Sequence, residues 1–314
     1  MIRFVIRRVL TGGLVLWIVT TGVFILFFAT SRDPAARFAG KMATPETLAL
    51  LRHRMGLDDP IPVQYWHFLT RTLEGDFGYS YVTRTPVGDM LKDAFPVTVS
   101  LAVGGSALWL LVGLVCGVAS ARRAHTLVDR GIAVAVLVGI SVPAFIAAMT
   151  LLYLFTAALP IFPQSGYVPI GQNPVRWCEH LILPWATFAI VQAAVYTRLT
   201  RGALLDVLDE DYIRTARAKG LAEHRVVFQH GLRAALTPVV TQFGVDAGMA
   251  MSGALVTESV FGLQGIGQLT VRSMISGDLP VIMAVVLLAA FFTVLANVAV
   301  DIVYCVLDPR VQLA

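Results

Sequence analysis

Residues 9–30, with the sequence VLTGGLVLWIVTTGVFILFFAT, carry no charge over 22 positions. A helix of roughly 20 apolar residues crosses the hydrocarbon core of a bilayer, which is about 30 Å thick. Arg3, Arg7 and Arg8 precede this stretch, as in a secretory signal. A cleaved signal, however, has an apolar run of only about 7–15 residues. We therefore predict a retained transmembrane helix.

Five further stretches have a similar apolar length. They are residues 97–121, 132–159, 181–197, 238–257 and 281–307. The backbone must satisfy its own hydrogen bonds in lipid, so all six stretches are predicted to be helices. Pro143 and Pro184 predict kinks or locally broken hydrogen bonding within them. The fourth stretch is short, and Arg198 and Arg201 are expected to snorkel from its end. The predicted fold is an all-α polytopic membrane protein.

The composition of the whole chain agrees with this class. Of 314 residues, 57% are hydrophobic and 14% are charged, whereas a soluble domain carries about 25% charge. A soluble globular enzyme, a disordered chain and a nucleic-acid-binding protein are therefore excluded. Lysine and arginine favour cytoplasmic loops. The N-terminus, the short loops at 122–130 and 198–233 and the tail hold 14 of them, against two in the alternate short loops. Both termini are predicted to be cytoplasmic.

Two polar segments interrupt the predicted spans. Residues 31–96 follow the cytoplasmic N-terminus and first helix (1–30), and they are predicted to form a helical extracytoplasmic subdomain. Within them, Thr44 as N-cap and Pro45 at the first position predict the start of a helix. The five-helix core then covers 97–307, before a cytoplasmic tail at 308–314. A charged cytoplasmic loop at 206–237 divides the core.

The loop at 206–237 contains the sequence DYIRTARAKGL at positions 211–221. Helical spacing places Tyr212, Ala216 and Lys219 on one face, where small side chains permit close approach by another protein. Gly220 supplies a turn or C-cap. Two short helices around a glycine, joined to two spans, can transmit force. The alternative is a solvated basic loop lying on anionic lipid.

Residues 212–221 resemble the coupling-loop motif of bacterial ABC-transporter permease subunits. The resemblance is to the dipeptide/oligopeptide/nickel importer family, and to the subunit whose first span precedes a large outside loop. Ala216 and Gly220 match the general motif, E-A-A-x3-G-x9-I-x-L-P. Arg214 and Thr215 stand in place of E-A, and His230 replaces the isoleucine, as in the peptide subgroup. Further blocks resemble the family at 55–60, 75–80, 258–261, 265–267, 278–280 and 307–311.

The resemblance implies a type I ABC importer permease fold in the bacterial cytoplasmic (inner) membrane. It also implies four kinds of partner: a second homologous permease subunit, two cytosolic ATPase subunits or domains, an extracytoplasmic substrate-binding protein and a peptide substrate. ATP and Mg²⁺ are expected on the ATPases, because this chain has no GxxxxGK[ST] phosphate loop. No catalytic residue, metal site or resident cofactor is expected. The residues predicted to couple to the ATPase are Tyr212, Ile213, Ala216, Lys219, Gly220 and Leu221.

Asp246 lies in the apolar stretch 238–257, where a charge costs roughly 2.5–3.5 kcal/mol to insert. Gly244, Gly248 and Ser252 form a small-residue ridge for helix packing on one face. The other face is predicted to line the substrate pathway, with Asp246 meeting the cationic end of a peptide. That face comprises Asp246, Met249, Ala250 and Gly253. The alternative is that Asp246 is protonated or hydrogen-bonded to a neighbouring helix.

The loop after this span carries a further candidate site. Glu258, Phe261, Gly265 and Gly267 are predicted to form an extracytoplasmic gate or docking surface, and the alternative is an ordinary connecting loop. For the chain as a whole, the cargo could instead be nickel chelate, glutathione or oligosaccharide. An ion-driven secondary transporter using Asp246 is a further alternative. Such carriers commonly contain inverted repeats, and no convincing repeat is present.

Overall fold

The computed structural model describes residues 2–30, 34–39, 44–54, 56–251 and 254–307. This part of the chain is helical, with an isolated β-bridge between Tyr79 and Pro86. The α-helices are α1 Ile2–Thr30, α2 Pro34–Ala39, α3 Pro45–Arg54, α4 Ile61–Leu73, α5 Val87–Arg122, α6 Leu127–Ser141, α7 Ala144–Leu152, α8 Pro174–Leu208, α9 Asp211–Ala218, α10 Glu223–Arg225, α11 Leu232–Ala250, α12 Leu255–Val260, α13 Ile266–Ser276 and α14 Leu279–Leu307. Two π-helical segments complete them, Tyr153–Ala158 and Val226–Gly231.

Four of these helices are long and apolar enough to cross a membrane within the described part of the chain. They are α1, α5, α8 and α14. The pair formed by α6 and α7 with its π-helical extension would make a fifth crossing, although it bends by 99°. Every one of the six predicted stretches overlaps a helix. The fold class of a helical multi-pass membrane protein is therefore confirmed.

The bend between α6 and α7 occurs where the sequence predicts it, at Pro143. Val142 precedes the proline in an extended conformation, with φ −81° and ψ 119°. A residue before proline is disfavoured in the helical region by a steric clash, which ends α6. By contrast, α8 continues through Pro184 without interruption.

The second and fourth predicted spans are longer in the structure than the apolar stretches that predict them. The second begins at Val87 rather than 97, and the fourth extends from Pro174 to Leu208 rather than covering 181–197. The side chain of Asn173 accepts hydrogen bonds from two backbone amides of the first turn, which fixes the start of α8. The polar residues at both ends of α8 are good enough helix formers to extend it beyond the apolar stretch.

The fifth predicted span, 238–257, is not one helix. The helix α11 ends at Ala250, and α12 starts separately after Ala254, whose φ of −87° and ψ of 73° are not helical. Ser252 and Gly253 lie outside the described residues, as does the predicted tail at 308–314. The sequence pattern alone could not locate this break, because the apolar composition continues across it.

The centre of the molecule is the contact between α5 and α8. A Cβ added to Gly113 would lie 2.4 Å from the Cβ of Tyr196, and one on Gly117 would lie 2.6 Å from the Cβ of Thr200. Small residues thus let the two helices approach closely. Gly113 and Gly117, which are four residues apart on α5, therefore pack two helices of this chain together. Trp109 is fully buried beside this contact.

The helix predicted to start at Pro45 is present as α3, with the Thr44 hydroxyl accepting a hydrogen bond from the Thr47 backbone amide at 3.3 Å. The following helix, α4, packs on the end of α1, where Thr21 and Tyr65 share a hydrogen bond of 2.8 Å. A cavity of about 410 Å³ lies between α1, α4 and the start of α14. The segment after the first helix therefore packs against α1 and the start of α14.

Candidate coupling and pathway sites

The helix α9 is packed against the end of α8 by its apolar side. Ile213 and Val226 are fully buried and Ala216 is 8% exposed. They form one cluster with partly buried Val207 and Leu208 of α8 and with Leu221. Burying these side chains removes apolar surface from water and fixes α9 relative to the long helix.

An ion pair closes the turn between α9 and α10. The guanidinium of Arg217 donates to Glu223 with an Nη2–Oε1 distance of 2.9 Å. It also reaches the carbonyl of Leu208, 3.5 Å from Nη1. The hydrogen bond from Arg217 lowers the pKa of the Glu223 carboxyl group. Between the two helices, Gly220 has a φ of +75°, a conformation that favours glycine.

The second π-helical segment joins this turn to α11. Gly231, at its end, is buried against α8: a Cβ there would lie 3.2 Å from Leu204 and 3.3 Å from Leu208. Phe228 projects outward, with the guanidinium carbon of Arg122 5.7 Å from its ring centroid. The loop 206–237 is therefore a packed unit held by α5, α8 and α11.

The structure divides the six predicted coupling residues into two groups. Tyr212, Lys219 and Gly220 are exposed, and 47% of Tyr212 is accessible. Ile213 and Ala216 face the interior of this chain, and Leu221 is half-buried. Ala216 therefore does not share a surface with Tyr212 and Lys219, and its small side chain allows close packing on α8.

A partly buried ion pair lies near this loop and was not predicted from the sequence. Asp129, in the first turn of α6, accepts two hydrogen bonds of 2.8 Å from Nε and Nη2 of Arg201 on α8. Its carboxylate also accepts hydrogen bonds from the Ser120 hydroxyl and from the His125 amide, the latter at 2.9 Å. Arg201 thus binds a carboxylate, where the sequence led us to expect snorkelling. The available signal was an acidic residue at the start of an apolar stretch.

Asp246 forms hydrogen bonds within the protein. The Tyr196 hydroxyl of α8 donates to Oδ2 at 2.9 Å, and the Gln242 amide donates to Oδ1 at 3.0 Å. Of the rest of the predicted pathway face, Met249 is 57% exposed and Ala250 is buried in the core. Gly253 lies outside the described residues.

The ridge on the other side of α11 packs as predicted at one position. A Cβ added to Gly248 would lie 2.4 Å from the Cβ of Ala296 on α14. The glycine therefore allows α11 and α14 to pack closely.

The predicted gate residues form a compact buried cluster around Glu258. Glu258 is fully buried, and its carboxylate accepts hydrogen bonds from the Thr98 hydroxyl at 2.8 Å and the Gln268 amide at 2.9 Å. A Cβ on Gly265 or Gly267 would approach this carboxylate to 2.5 Å or 2.9 Å. These glycines are thus needed because the chain wraps closely around the acid. Phe261 is 3% exposed.

A second buried carboxylate joins two of the sequence blocks described above. Asp278 accepts hydrogen bonds from the Ser80 hydroxyl and, at 3.0 Å, from the Tyr81 amide. Ser80 is fully buried and Asp278 is 2% exposed. The segment before α5 is thereby attached to the start of α14.

Comparison with known families covers almost the whole chain. Residues 110–313 match the family described as binding-protein-dependent transport system inner membrane component, and residues 1–102 match its N-terminal model. The chain belongs to this family. The resemblance to an ABC-transporter permease subunit is thus confirmed, and so is the location of this inner membrane component. Its family role is that of the membrane part of a transport system, which works with a binding protein.

Individual relatives align over the full length of this inner membrane component. A putative peptide transport system permease protein of Brucella abortus is 38% identical over 312 residues, 99% of each chain. A probable peptide ABC transporter permease protein of Sinorhizobium fredii is 37% identical over 309 residues, 98% of this chain and 99% of the relative. The glutathione transport system permease protein of Salmonella typhimurium is 40% identical over 314 residues, 99% of each chain.

Proposed function

We propose that this inner membrane component is the permease subunit of an ATP-driven importer of dipeptides and oligopeptides. The observation that carries the proposal is the end-to-end similarity to relatives named as peptide permeases. The proposed topology has six crossings, with α11 as the fifth, and both termini in the cytoplasm. It includes the domain division set out above, with an extracytoplasmic part at 31–96 and a cytoplasmic coupling loop at 206–237.

The proposed assembly contains a second homologous permease subunit, two ATPase subunits or domains and an extracytoplasmic binding protein. ATP and Mg²⁺ bind the ATPases. We propose that the exposed side of the coupling loop, with Tyr212, Lys219 and Gly220, docks in a groove of the ATPase. The role of the other three residues is indirect, because they attach α9 to α8. They are Ile213, Ala216 and Leu221. Closure of the ATPases then displaces a loop that is packed against two long helices.

The substrate pathway is proposed to pass along α11. Asp246 is half-buried, and the hydroxyl of Tyr196 and the side-chain amide of Gln242 that donate to it are both neutral, so neither hydrogen bond cancels the charge of the carboxylate. Such a carboxylate can attract the ammonium group of a peptide. The proposed face also includes Met249, Ala250 and Gly253. The buried cluster around Glu258 supports the outer gate.

Glutathione is the second candidate cargo, and one observation favours it. The Salmonella relative named as a glutathione permease is 40% identical over the full length. Glutathione is a tripeptide with an additional carboxylate. A pathway built for short peptides can therefore accept it without a different architecture.

Transport by the reconstituted complex tests the proposal. The test uses proteoliposomes that contain both permeases and the ATPases and are supplied with the binding protein. They should accumulate labelled short peptides only when ATP is present on the side of the membrane that carries the ATPases. An ionophore should leave uptake unchanged. Uptake that persists without ATP and collapses with the ionophore would instead establish an ion-driven carrier. Competition by glutathione separates the two candidate cargoes.

Docking of the ATPase is tested by copurification. Tyr212→Ala and Lys219→Glu should each reduce the amount of ATPase recovered with the permease. Arg130→Gln, an exposed change outside the loop, is the control. Equal recovery with all three variants would place the docking surface elsewhere.

A further inference from the structure

The carboxylate of Asp129 connects three helices and a turn at one end of the molecule. It lies in the first turn of α6 and binds Ser120 of α5, the amide of His125 in the intervening turn, and Arg201 of α8. The side chain of Asp129 is only 8% exposed, and that of Arg201 is 32% exposed. The two parallel hydrogen bonds from a guanidinium fix orientation as well as distance.

The ion pair is mechanically close to the coupling loop. Arg201, Leu204 and Leu208 follow one another at helical spacing along one side of α8. Leu204 packs with Val227 of the second π-helical segment, and Leu208 packs with the cluster that holds α9. Since α8 is unbroken to Leu208, a displacement of the loop moves Arg201 with it.

The helix α6 contacts α8 at a second point along its length. A Cβ added to Gly139 would lie 3.2 Å from the Cβ of Ala194 and 3.5 Å from the carbonyl of Ile190. The ion pair thus anchors the start of α6, and close packing holds its far end. Beyond that end the chain bends at Pro143 into α7.

We propose that Asp129 and Arg201 are a positioning pair that transfers the displacement of the coupling loop from α8 into α6 and hence into the bent third crossing. The inference rests on the proposed function, because it requires ATP-driven movement of the loop. Neither residue contacts nucleotide. The pair makes α6, α8 and α9 move as one body, so its loss lets ATP hydrolysis proceed without full movement of the third crossing.

Transport per ATP distinguishes this role from a purely structural one. Arg201→Lys keeps the charge and removes the planar fork, and Asp129→Asn keeps the shape and removes the charge. Both should lower the number of peptides imported per ATP hydrolysed by roughly 5-fold or more, the lower end of typical couplings between sites. The basal ATPase rate and the amount of assembled complex should stay near wild type. Arg198→Lys, on the exposed side of the same helix, is the matched control and should change nothing.

Two results of this assay contradict the proposal. Unchanged transport per ATP in both variants would show that the pair does not carry the movement. A loss explained entirely by less assembled complex, with normal transport per ATP in the remainder, would assign the pair a structural role. If the wild-type complex itself shows no ATP-dependent import, the proposed function fails instead, and the two failures are thereby distinct.

A distance measurement keeps the test independent of variant folding. Spin labels at exposed Arg130 on α6 and Arg214 on α9 can be introduced after replacement of the native cysteines. The distance between these labels should be the same without nucleotide and with bound ATP, while the Arg214 label moves relative to the second permease. A change in the α6–α9 distance on ATP binding in an otherwise wild-type complex would overturn the proposal.

Discussion

The hydroxyl of Ser80 donates a hydrogen bond to the carboxylate of Asp278, although the two residues are 198 positions apart in the chain. Both side chains are buried, and Asp278 also accepts the amide of Tyr81. This contact attaches the segment before α5 to the start of α14. Ser80 and Asp278 belong to separate blocks of the sequence, and neither block indicates that the two residues contact each other.

Replacement of Asp278 by alanine should destabilise the protein. It removes the carboxylate that accepts from the buried hydroxyl of Ser80, and loss of a buried hydrogen bond of this kind costs about 1–3 kcal/mol. The thermal unfolding midpoint of the purified complex in detergent should fall. Asp93→Ala, on the exposed side of α5, is the control, with an expected change within about 0.5 kcal/mol. Equal midpoints for the two variants would show that the contact contributes little.

The buried Glu258 should make stability depend on pH. Burial raises the pKa of its carboxyl group above the ordinary value of 4.5, against the opposing effect of hydrogen bonds from Gln268 and Thr98. The folded chain then binds this proton more tightly than the unfolded chain, so stability falls as the pH rises above 4.5. The midpoint should therefore drop more steeply as the pH rises above 4.5 in the wild type than in Glu258→Gln. Parallel curves for the two proteins would refute this.

Gly220→Ala should disturb the turn of the coupling loop through the backbone alone. Nothing lies within 4 Å of the position of the added Cβ, but the φ of +75° strains an alanine by about 1–2 kcal/mol. Recovery of the ATPase with the permease should fall. Gly202→Ala is the matched control, since that glycine is helical and equally open. The prediction fails if both alanine variants recover the ATPase as the wild type does.

Gly117→Ala should weaken the contact between α5 and α8. The new methyl group would lie 2.6 Å from the Cβ of Thr200 and 2.9 Å from the carbonyl of Thr197, so the helices must separate. Overpacking of this kind costs about 1–3 kcal/mol. The yield in membranes and the thermal midpoint should both fall, whereas Gly131→Ala, with open space around it, should leave them unchanged. No difference between the two would mean that the helices adjust freely.

Asp246→Asn should reduce import of peptides with a free amino terminus by about 10-fold or more, because a lost charged hydrogen bond is worth about 1.5–3 kcal/mol. N-acetylated peptides should be affected much less. Tyr196→Phe removes the hydroxyl donor and keeps the charge, so its effect should not depend on the peptide terminus. Uptake that is unchanged across differently charged peptides in Asp246→Asn would exclude the pathway role.

The sequence predicts those features that depend on local chemistry. The first and last crossings, the start of α3 at Pro45, the bend at Pro143 and the glycine turn at Gly220 each follow from residues within one or two turns of helix. Apolar length and backbone restrictions act locally, so a single chain is enough to infer them.

Contacts between distant segments could not be inferred in this way. Asp129 and Arg201 are 72 positions apart, and nothing in the helical period of either segment indicates its partner. The direction of Ala216 was also ambiguous, because in a short helix a small side chain suits packing on the same chain as well as on another protein. The sequence predicts a gate or docking surface around Glu258, with an ordinary connecting loop as the alternative, whereas the burial of Glu258 depends on Thr98 of another helix.

The unbroken length of α8 determines how far from the bilayer the permease would contact the ATPase. From Arg198 to Leu208 the helix advances about 15 Å, at about 1.5 Å per residue. The polar layer of a bilayer adds only about 5–8 Å beyond each side of the hydrocarbon. We therefore expect the proposed docking surface to lie in bulk water, clear of the lipid headgroups, and the ATPase to bind equally well in neutral and anionic bilayers.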